Sequence, residues 1–192
     1  MNLTPGARLP AALNDIFLFA MMLTMAAILT TAMVFQYHGG EIPCPLCLLQ
    51  RVAMFGVCFG VILHFRHGYS PRHDGVSMLS ALLLLIISAR QTLLDIYPRP
   101  GHSYIGSTVF GLHMPVWSVV IAVAVLLAFA IKLAVLGGEA LRDRQPPPEF
   151  GRAARWLSLY VVAICLINLG SVIVQCGADA CHTTEYRWLS GS

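Results

Sequence analysis

The chain has 192 residues, of which 57% are hydrophobic and only 11% are charged, and its formal net charge is +3. Soluble domains carry about 25% charged residues, so this composition excludes an ordinary water-soluble domain and indicates a protein embedded in a bilayer. The basic residues are few and spread along the chain, which excludes the concentrated basic surface of a nucleic-acid-binding protein.

Five apolar runs are each close to the roughly 20 residues that cross a bilayer. Because lipid offers the backbone no hydrogen-bond partners, these runs are expected to be helices. In chain order they cover about 16–37, 46–65, 76–97, 116–136 and 156–175. The first run is too long for a cleaved signal peptide and no A-x-A site follows it, so we expect it to remain as a helix. The predicted fold is an all-α membrane-embedded helix bundle, with residues 1–192 forming a single integral membrane domain.

The basic residues are distributed unequally between the two sides of this bundle. The N-terminal arm and the second and fourth loops hold eight of them: Arg8, Arg66, Arg72, Lys132, Arg142, Arg144, Arg152 and Arg155. The third loop and the C-terminal tail hold two, Arg99 and Arg187. The positive-inside rule therefore predicts a cytoplasmic N-terminus, solvated cytosolic loops that include the segment from His64 to His73, and a cytosolic linker over 137–155. The tail, residues 176–192, is predicted to face outward.

Four of the six cysteines form two close pairs, and the charge count places both pairs on the outer side. Cys44 and Cys47 precede the second helix, and Cys176 and Cys181 follow the fifth. In a bacterial inner membrane the outer side is the oxidising periplasm, where disulfides persist. The other two cysteines, Cys58 and Cys165, lie inside helices and are expected to pack as small apolar residues.

The stretch "PCPLCLLQR" places a C-x-x-C spacing at the start of a helix. Cys47 falls in the first turn, where free N–H groups and the helix dipole favour a thiolate. Arg51 lies four residues further on, so it shares that face and can stabilise a thiolate or hold a polar head group. The alternative is a static disulfide with Arg51 extending to the lipid head groups. The combination favours a redox role.

Three segments resemble the DsbB family of membrane thiol oxidases. "PCPLCLLQRVAMFG" is similar to the family's P-C-x-L-C-x-x-x-R segment, with Cys44, Cys47 and Arg51 on the matching positions. "LLDIYPRP" resembles the segment that closes the third helix, and "FGLHMPVW" the one that opens the fourth. The resemblance implies a four-helix core that oxidises a thioredoxin-fold partner of the DsbA type and passes two electrons to a membrane quinone, either ubiquinone or menaquinone.

The resemblance also implies roles for individual residues. Cys44 and Cys47 become the pair nearest to the quinone, and Arg51 becomes a quinone contact. The best-known members have a histidine near the quinone at the end of the third helix, where this chain has Gln91. Arg90 and Gln91 therefore face either a quinone pocket or the membrane interface.

The chain departs from the best-known members in where its second cysteine pair lies. The loop between the third and fourth helices has no cysteine, and a fifth helix is added. This arrangement resembles a variant branch in which the fifth helix carries a cysteine pair back to the periplasmic face. The resemblance then implies that a reduced partner attacks the Cys176–Cys181 disulfide and that the electrons pass to Cys44–Cys47 and on to quinone.

Two other classes of function stay open at this point. A metal-binding or metal-transporting membrane protein would use the outward-facing cysteines together with His38, His102, His113 and His182. Their spacing matches no compact zinc pattern, so no metal ligand is predicted. A structural protein would use both disulfides as inert links. Asn168, in the fifth helix, is expected to hydrogen-bond across helices rather than to take part in chemistry.

The predicted topology is tested by fusions to alkaline phosphatase, which is active only where its disulfides form. We expect a fusion after Ser192 to be active and a fusion near Gln145 to be inactive, because the charge asymmetry places these positions on opposite sides. The reverse pattern would contradict the orientation and the outward position of the cysteine pairs.

Overall fold

The computed structural model describes residues 5–40, 43–97, 108–136 and 148–176. Its five helices are α1 (Pro5–His38), α2 (Pro45–His67), α3 (Pro71–Ile96), α4 (Met114–Leu136) and α5 (Pro148–Cys176). All five are long and apolar enough to cross a membrane. The prediction of an all-α membrane-embedded bundle is confirmed.

The helices extend beyond the apolar runs from which they were predicted. Pro45, Pro71 and Pro148 begin α2, α3 and α5, because proline has no N–H group to satisfy and its backbone angle suits the first turn. As a result α5 begins within the predicted linker, at the last of its three prolines. The rest of that linker, residues 137–147, lies outside the described residues, as does the tail after Cys176.

A short hairpin precedes α4. Its strands are β1 (Thr108–Val109) and β2 (Leu112–His113), which pair in antiparallel register. The two residues between them have positive φ angles, 50° at Phe110 and 77° at Gly111, as a tight hairpin turn requires. Strands of two residues are too short to show an alternating pattern, so the sequence did not predict them.

The first four helices form a closed core, in which α2 packs against α3, α3 against α4, and α1 against both α2 and α4. The fifth helix packs against α1 and α2. Gly60 allows α2 and α3 to approach closely, because a Cβ atom there would collide with the Ser77 hydroxyl and lie 2.7 Å from the His73 carbonyl oxygen. Cys58 is buried in the apolar core with a free thiol, and Cys165 is also free.

A buried charged cluster joins α2, α3 and α4 at the end of the bundle opposite to Cys44. Asp74 accepts hydrogen bonds from Lys132 Nζ at 2.6 Å and is paired with His64 Nε2 at 2.7 Å. All three side chains are almost completely buried, and Lys132 also lies over the Tyr69 ring, 5.3 Å from its centroid. This end of the bundle is held together by charge rather than by apolar contact alone.

This cluster corrects the prediction of a solvated loop from His64 to His73. The helices α2 and α3 run to His67 and from Pro71, so only residues 68–70 connect them and His64 lies inside α2. Lys132 is likewise inside α4 and is not a loop residue. Without Lys132, which is set apart by its burial, the predicted inner side keeps seven basic residues against two on the predicted outer side.

The contribution of Lys132 is tested by unfolding in detergent micelles. Lys132→Met should lower the free energy of unfolding by about 3–5 kcal/mol, because it leaves the Asp74 carboxylate buried without its lysine partner. The double variant Asp74→Asn/Lys132→Met should recover most of that loss. The control is Arg72→Met, since Arg72 is exposed. Equal stability of Lys132→Met and this control would show that the buried pair contributes nothing.

Candidate active site

Cys44 and Cys47 form a disulfide across the first turn of α2, with their Cα atoms 5.1 Å apart. Cys44 is the N-cap residue, and its sulfur accepts a hydrogen bond from the Cys47 backbone N–H at 3.1 Å. Pro45 occupies the first helical position, where a missing N–H costs nothing. Cys44 is buried and Cys47 is half-buried, so both sulfurs lie at the rim of the helix bundle.

Gln91 reaches the disulfide from the last part of α3. Its side-chain nitrogen lies 3.5 Å from Cys44 Sγ and 3.6 Å from Cys47 Sγ. Arg90, the residue before it, is exposed on another side of α3. Of the two residues predicted together, only Gln91 lies in the buried cluster with the sulfurs.

Two further polar residues, which the sequence analysis missed, connect Gln91 to α4. Gln50 Nε2 donates to Gln91 Oε1 at 2.9 Å, and Ser118 Oγ donates to Gln50 Oε1 at 3.1 Å. All of these groups are buried. The available signal was the presence of an amide side chain within an apolar run, since a polar group at membrane depth needs a partner on another helix.

Arg51 turns into the bundle rather than towards the lipid head groups. Its guanidinium donates to Gln36 Oε1 at 2.5 Å, to Asn168 Oδ1 at 3.3 Å and to the Ala32 carbonyl oxygen at 3.2 Å. The residue is only 9% exposed. Arg51 therefore links α1, α2 and α5, and the prediction that Asn168 bonds across helices is confirmed.

One face of α5 docks on the ends of α1 and α2 through Asn168, Ser171 and Gln175, which are spaced as residues that share a helix face. Ser171 Oγ accepts a hydrogen bond from Gln36 Nε2 at 2.5 Å. Gln175, which is completely buried, donates its side-chain N–H to the Pro43 carbonyl oxygen at 2.8 Å. The end of α5 thus lies against the residue that precedes Cys44.

Cys176 is the last residue of α5 and follows Gln175 directly. It is buried, with 5% of its surface exposed, and it is disulfide-bonded. It lies at the same end of the bundle as Cys44 and Cys47. Cys181 lies outside the described residues, so the pairing of Cys176 with Cys181 stays a prediction.

A metal site finds no support in the part of the chain that the structure describes. Within those residues no group of three or more His, Cys, Asp and Glu side chains could hold a metal ion. His38 and His113 belong to the described residues, whereas His102 and His182 do not. The metal-binding alternative therefore gains no observation in its favour.

The structural role of Arg51 is tested by thermal unfolding in detergent. Arg51→Ala should lower the free energy of unfolding by about 2–5 kcal/mol, because it leaves several buried acceptors without their donor. Arg51→Lys should restore only part of the lost free energy of unfolding, since a compact ammonium group lacks the planar fork of guanidinium. Arg90→Ala is the control, because Arg90 is exposed. An unchanged melting temperature for Arg51→Ala would contradict the link between the three helices.

Comparison with known proteins adds independent information on the same segment. Residues 14–103 match the model of the family "Disulfide bond formation protein DsbB". Several relatives that match the chain carry the name Disulfide bond formation protein B. That of Azoarcus sp. strain BH72 is 36% identical over 96 residues, 47% of this chain and 56% of the relative. That of Chromohalobacter salexigens is 27% identical over 161 residues, which are 78% of this chain and 84% of the relative.

The third relative, from Pasteurella multocida, is 34% identical over 87 residues, 43% of this chain and 47% of the relative. The match to the Azoarcus and Pasteurella proteins spans about half of their length, and no solved structure matches the chain. The matched segment, residues 14–103, contains Cys44, Cys47, Arg51 and Gln91. Over this segment, which runs from α1 through the end of α3 and makes up just under half of the chain, the chain is similar to the DsbB family.

Proposed function

We propose that the protein is a disulfide oxidoreductase of the bacterial inner membrane, with a cytoplasmic N-terminus and a periplasmic C-terminus. It reoxidises a periplasmic thioredoxin-fold partner of the DsbA type and passes the electrons to a membrane quinone. The observation that carries this proposal is the bond from Gln175 to Pro43, because it joins the residue before Cys176 to the residue before Cys44. The names of the relatives support the direction of the reaction, which is the formation of disulfides.

The proposed reaction begins at the tail pair, Cys176 and Cys181. A thiolate of the reduced partner attacks one sulfur, a mixed disulfide forms, and the other tail cysteine leaves as a thiolate. The second thiol of the partner then displaces the first tail cysteine, so the partner becomes a disulfide and the tail pair becomes a dithiol. The tail dithiol reduces the Cys44–Cys47 disulfide by the same two exchanges, and two electrons and two protons move with it.

The surroundings of the two sulfurs suggest different roles for them. Cys44 follows Pro43, where the end of α5 docks, so it is the sulfur that a tail thiolate reaches first. Cys47 lies in the first turn of α2, where the helix dipole favours a thiolate. The proposal assigns the tail exchange to Cys44 and the electron transfer to quinone to Cys47.

The residues near the disulfide suit a quinone, which has an apolar ring and two carbonyl acceptors. The buried Arg51 guanidinium supplies a positive charge and N–H donors at membrane depth, and Gln91 supplies an amide. Arg90 is exposed, so it reaches a quinone only from outside the buried cluster. A bound quinone, whether ubiquinone or menaquinone, would supply the two-electron acceptor. Arg51, Gln91 and Arg90 are the proposed residues around it.

An inert structural disulfide is a weaker explanation of the Cys44–Cys47 bond. The two cysteines are separated by only three positions in sequence. Stabilisation by a disulfide grows with the length of the loop that it closes, so a ring of this size contributes little.

The proposal is tested with a reduced DsbA-type protein and a soluble quinone analogue. Cys176→Ser and Cys181→Ser should each reduce oxidation of the protein partner by more than tenfold, since an exchange chain stops when one thiol is missing. Both variants should still reduce quinone when dithiothreitol is the donor, because the small thiol reaches Cys44–Cys47 directly. Oxidation of the partner is measured from the change in quinone absorbance and by trapping the remaining thiols.

Cys165→Ser is the matched control, because Cys165 is a free thiol on the same helix as Cys176. It should turn over the partner at the parental rate. If both tail variants oxidise the partner as fast as this control, the partner attacks Cys44–Cys47 directly and the tail is not the point of electron entry.

A further inference from the structure

A row of buried polar side chains crosses three helices and ends at the disulfide. It begins at Ser118 on α4, passes through Gln50 on α2 and Gln91 on α3, and reaches the sulfurs of Cys44 and Cys47. All three residues are buried, with only 6–8% of their surface exposed. Buried hydrogen bonds of this kind are costly to break, so the row has a defined geometry.

The row also has a direction, because an amide has one accepting oxygen and one donating nitrogen. Ser118 Oγ lies 3.1 Å from the Gln50 side-chain oxygen and 3.3 Å from the Met114 carbonyl oxygen of its own helix, and the Gln50 nitrogen faces Gln91. Gln50 in turn donates to the Gln91 oxygen, which turns the Gln91 nitrogen towards the two sulfurs. In this arrangement the Gln91 nitrogen, which is a donor, faces the disulfide, and Gln50 and Ser118 contact the other end of the row.

The charge on sulfur changes when the disulfide exchanges. An incoming thiolate forms a new S–S bond with one cysteine of the pair, the Cys44–Cys47 bond breaks, and the other cysteine leaves with the negative charge. A disulfide sulfur is a weak acceptor, whereas hydrogen bonds to a charged acceptor are roughly twice as strong as neutral ones. An N–H group aimed at both sulfurs thus stabilises the product of the step more than its reactant.

We propose that Gln91 is a catalytic hydrogen-bond donor that stabilises the thiolate released from the Cys44–Cys47 pair, and that Gln50 and Ser118 are positioning residues that keep its nitrogen on the sulfurs. Gln91 then acts on the cysteine pair in addition to, or instead of, the quinone. The inference rests on the proposed redox role of this pair, but its main measurement, the alkylation profile, needs neither quinone nor partner.

The test measures thiolate formation in the reduced full-length protein. The chain is reduced with dithiothreitol, pulsed with iodoacetamide over a series of pH values, and the modification of Cys44 and Cys47 is quantified separately by mass spectrometry. Gln91→Leu should move the midpoint of the pH profile of the more reactive thiol upward, so that alkylation at a pH below the parental midpoint slows by about tenfold, the effect of one hydrogen bond to a charged group.

Two variants test the positioning residues and do not depend on replacing Gln91. Ser118→Ala removes the hydroxyl that orients Gln50 and should shift the midpoint in the same direction by a smaller amount. Ser118→Thr keeps the hydroxyl and should restore the parental profile. Thr92→Val is the control on α3, because among the described residues the Thr92 hydroxyl bonds only to its own helix, at the Ser88 carbonyl oxygen. It should leave the profile unchanged.

The outcomes separate this inference from the proposed function. If Gln91→Leu and Ser118→Ala keep the parental alkylation profile, Gln91 is not a donor to the thiolate and the inference is wrong. A change in the KM for quinone without a change in that profile would also overturn it, since Gln91 would then contact quinone alone. If the parental protein reduces no quinone while its alkylation profile depends on Gln91, the proposed electron acceptor is wrong and this inference stands.

Discussion

A polar group inside a bilayer has no water with which to form hydrogen bonds, and an unpaired one costs several kcal/mol. A buried amide or charged side chain within these helices is therefore stabilised by a partner on a neighbouring helix. Around the disulfide this requirement connects all five helices. Gln91 and Ser118 bring α3 and α4 to the start of α2, while Gln36 and Gln175 bring α1 and α5 to the same place.

Two neighbouring residues of α2, Gln50 and Arg51, form hydrogen bonds with different helices at this end of the bundle. Consecutive residues on an α-helix point about 100° apart, so Gln50 and Arg51 face different helices. Gln50 faces α3 and α4, and its row of hydrogen bonds leads to the sulfurs. Arg51 faces α1 and α5, and its contacts hold in place the helix that ends at Cys176. One set of contacts thus bears on the chemistry of the pair, and the other on how electrons reach it.

The opposite end of the bundle is held by Asp74, Lys132 and His64, with the apolar core between the two polar layers. A scaffold that is tied at both ends keeps the start of α2 in one position. Such rigidity suits a disulfide that must present its sulfurs to two different reactants, because a reactive pair needs supporting residues whose own positions are determined.

The sequence by itself determined the five helices, the C-x-x-C spacing at the start of α2 and the resemblance to the DsbB family, because apolar runs and short motifs are local properties of the chain. It also indicated that Asn168 bonds between helices. It did not reveal which polar residues meet: Gln91 and Gln50 are 41 positions apart, Ser118 and Gln50 are 68, and Gln175 and Pro43 are 132. Only the packing of the helices decided these pairs, since residues so distant in sequence become neighbours through tertiary contacts alone. For the same reason His64 and Lys132, which the local pattern places in solvated loops, are buried around Asp74.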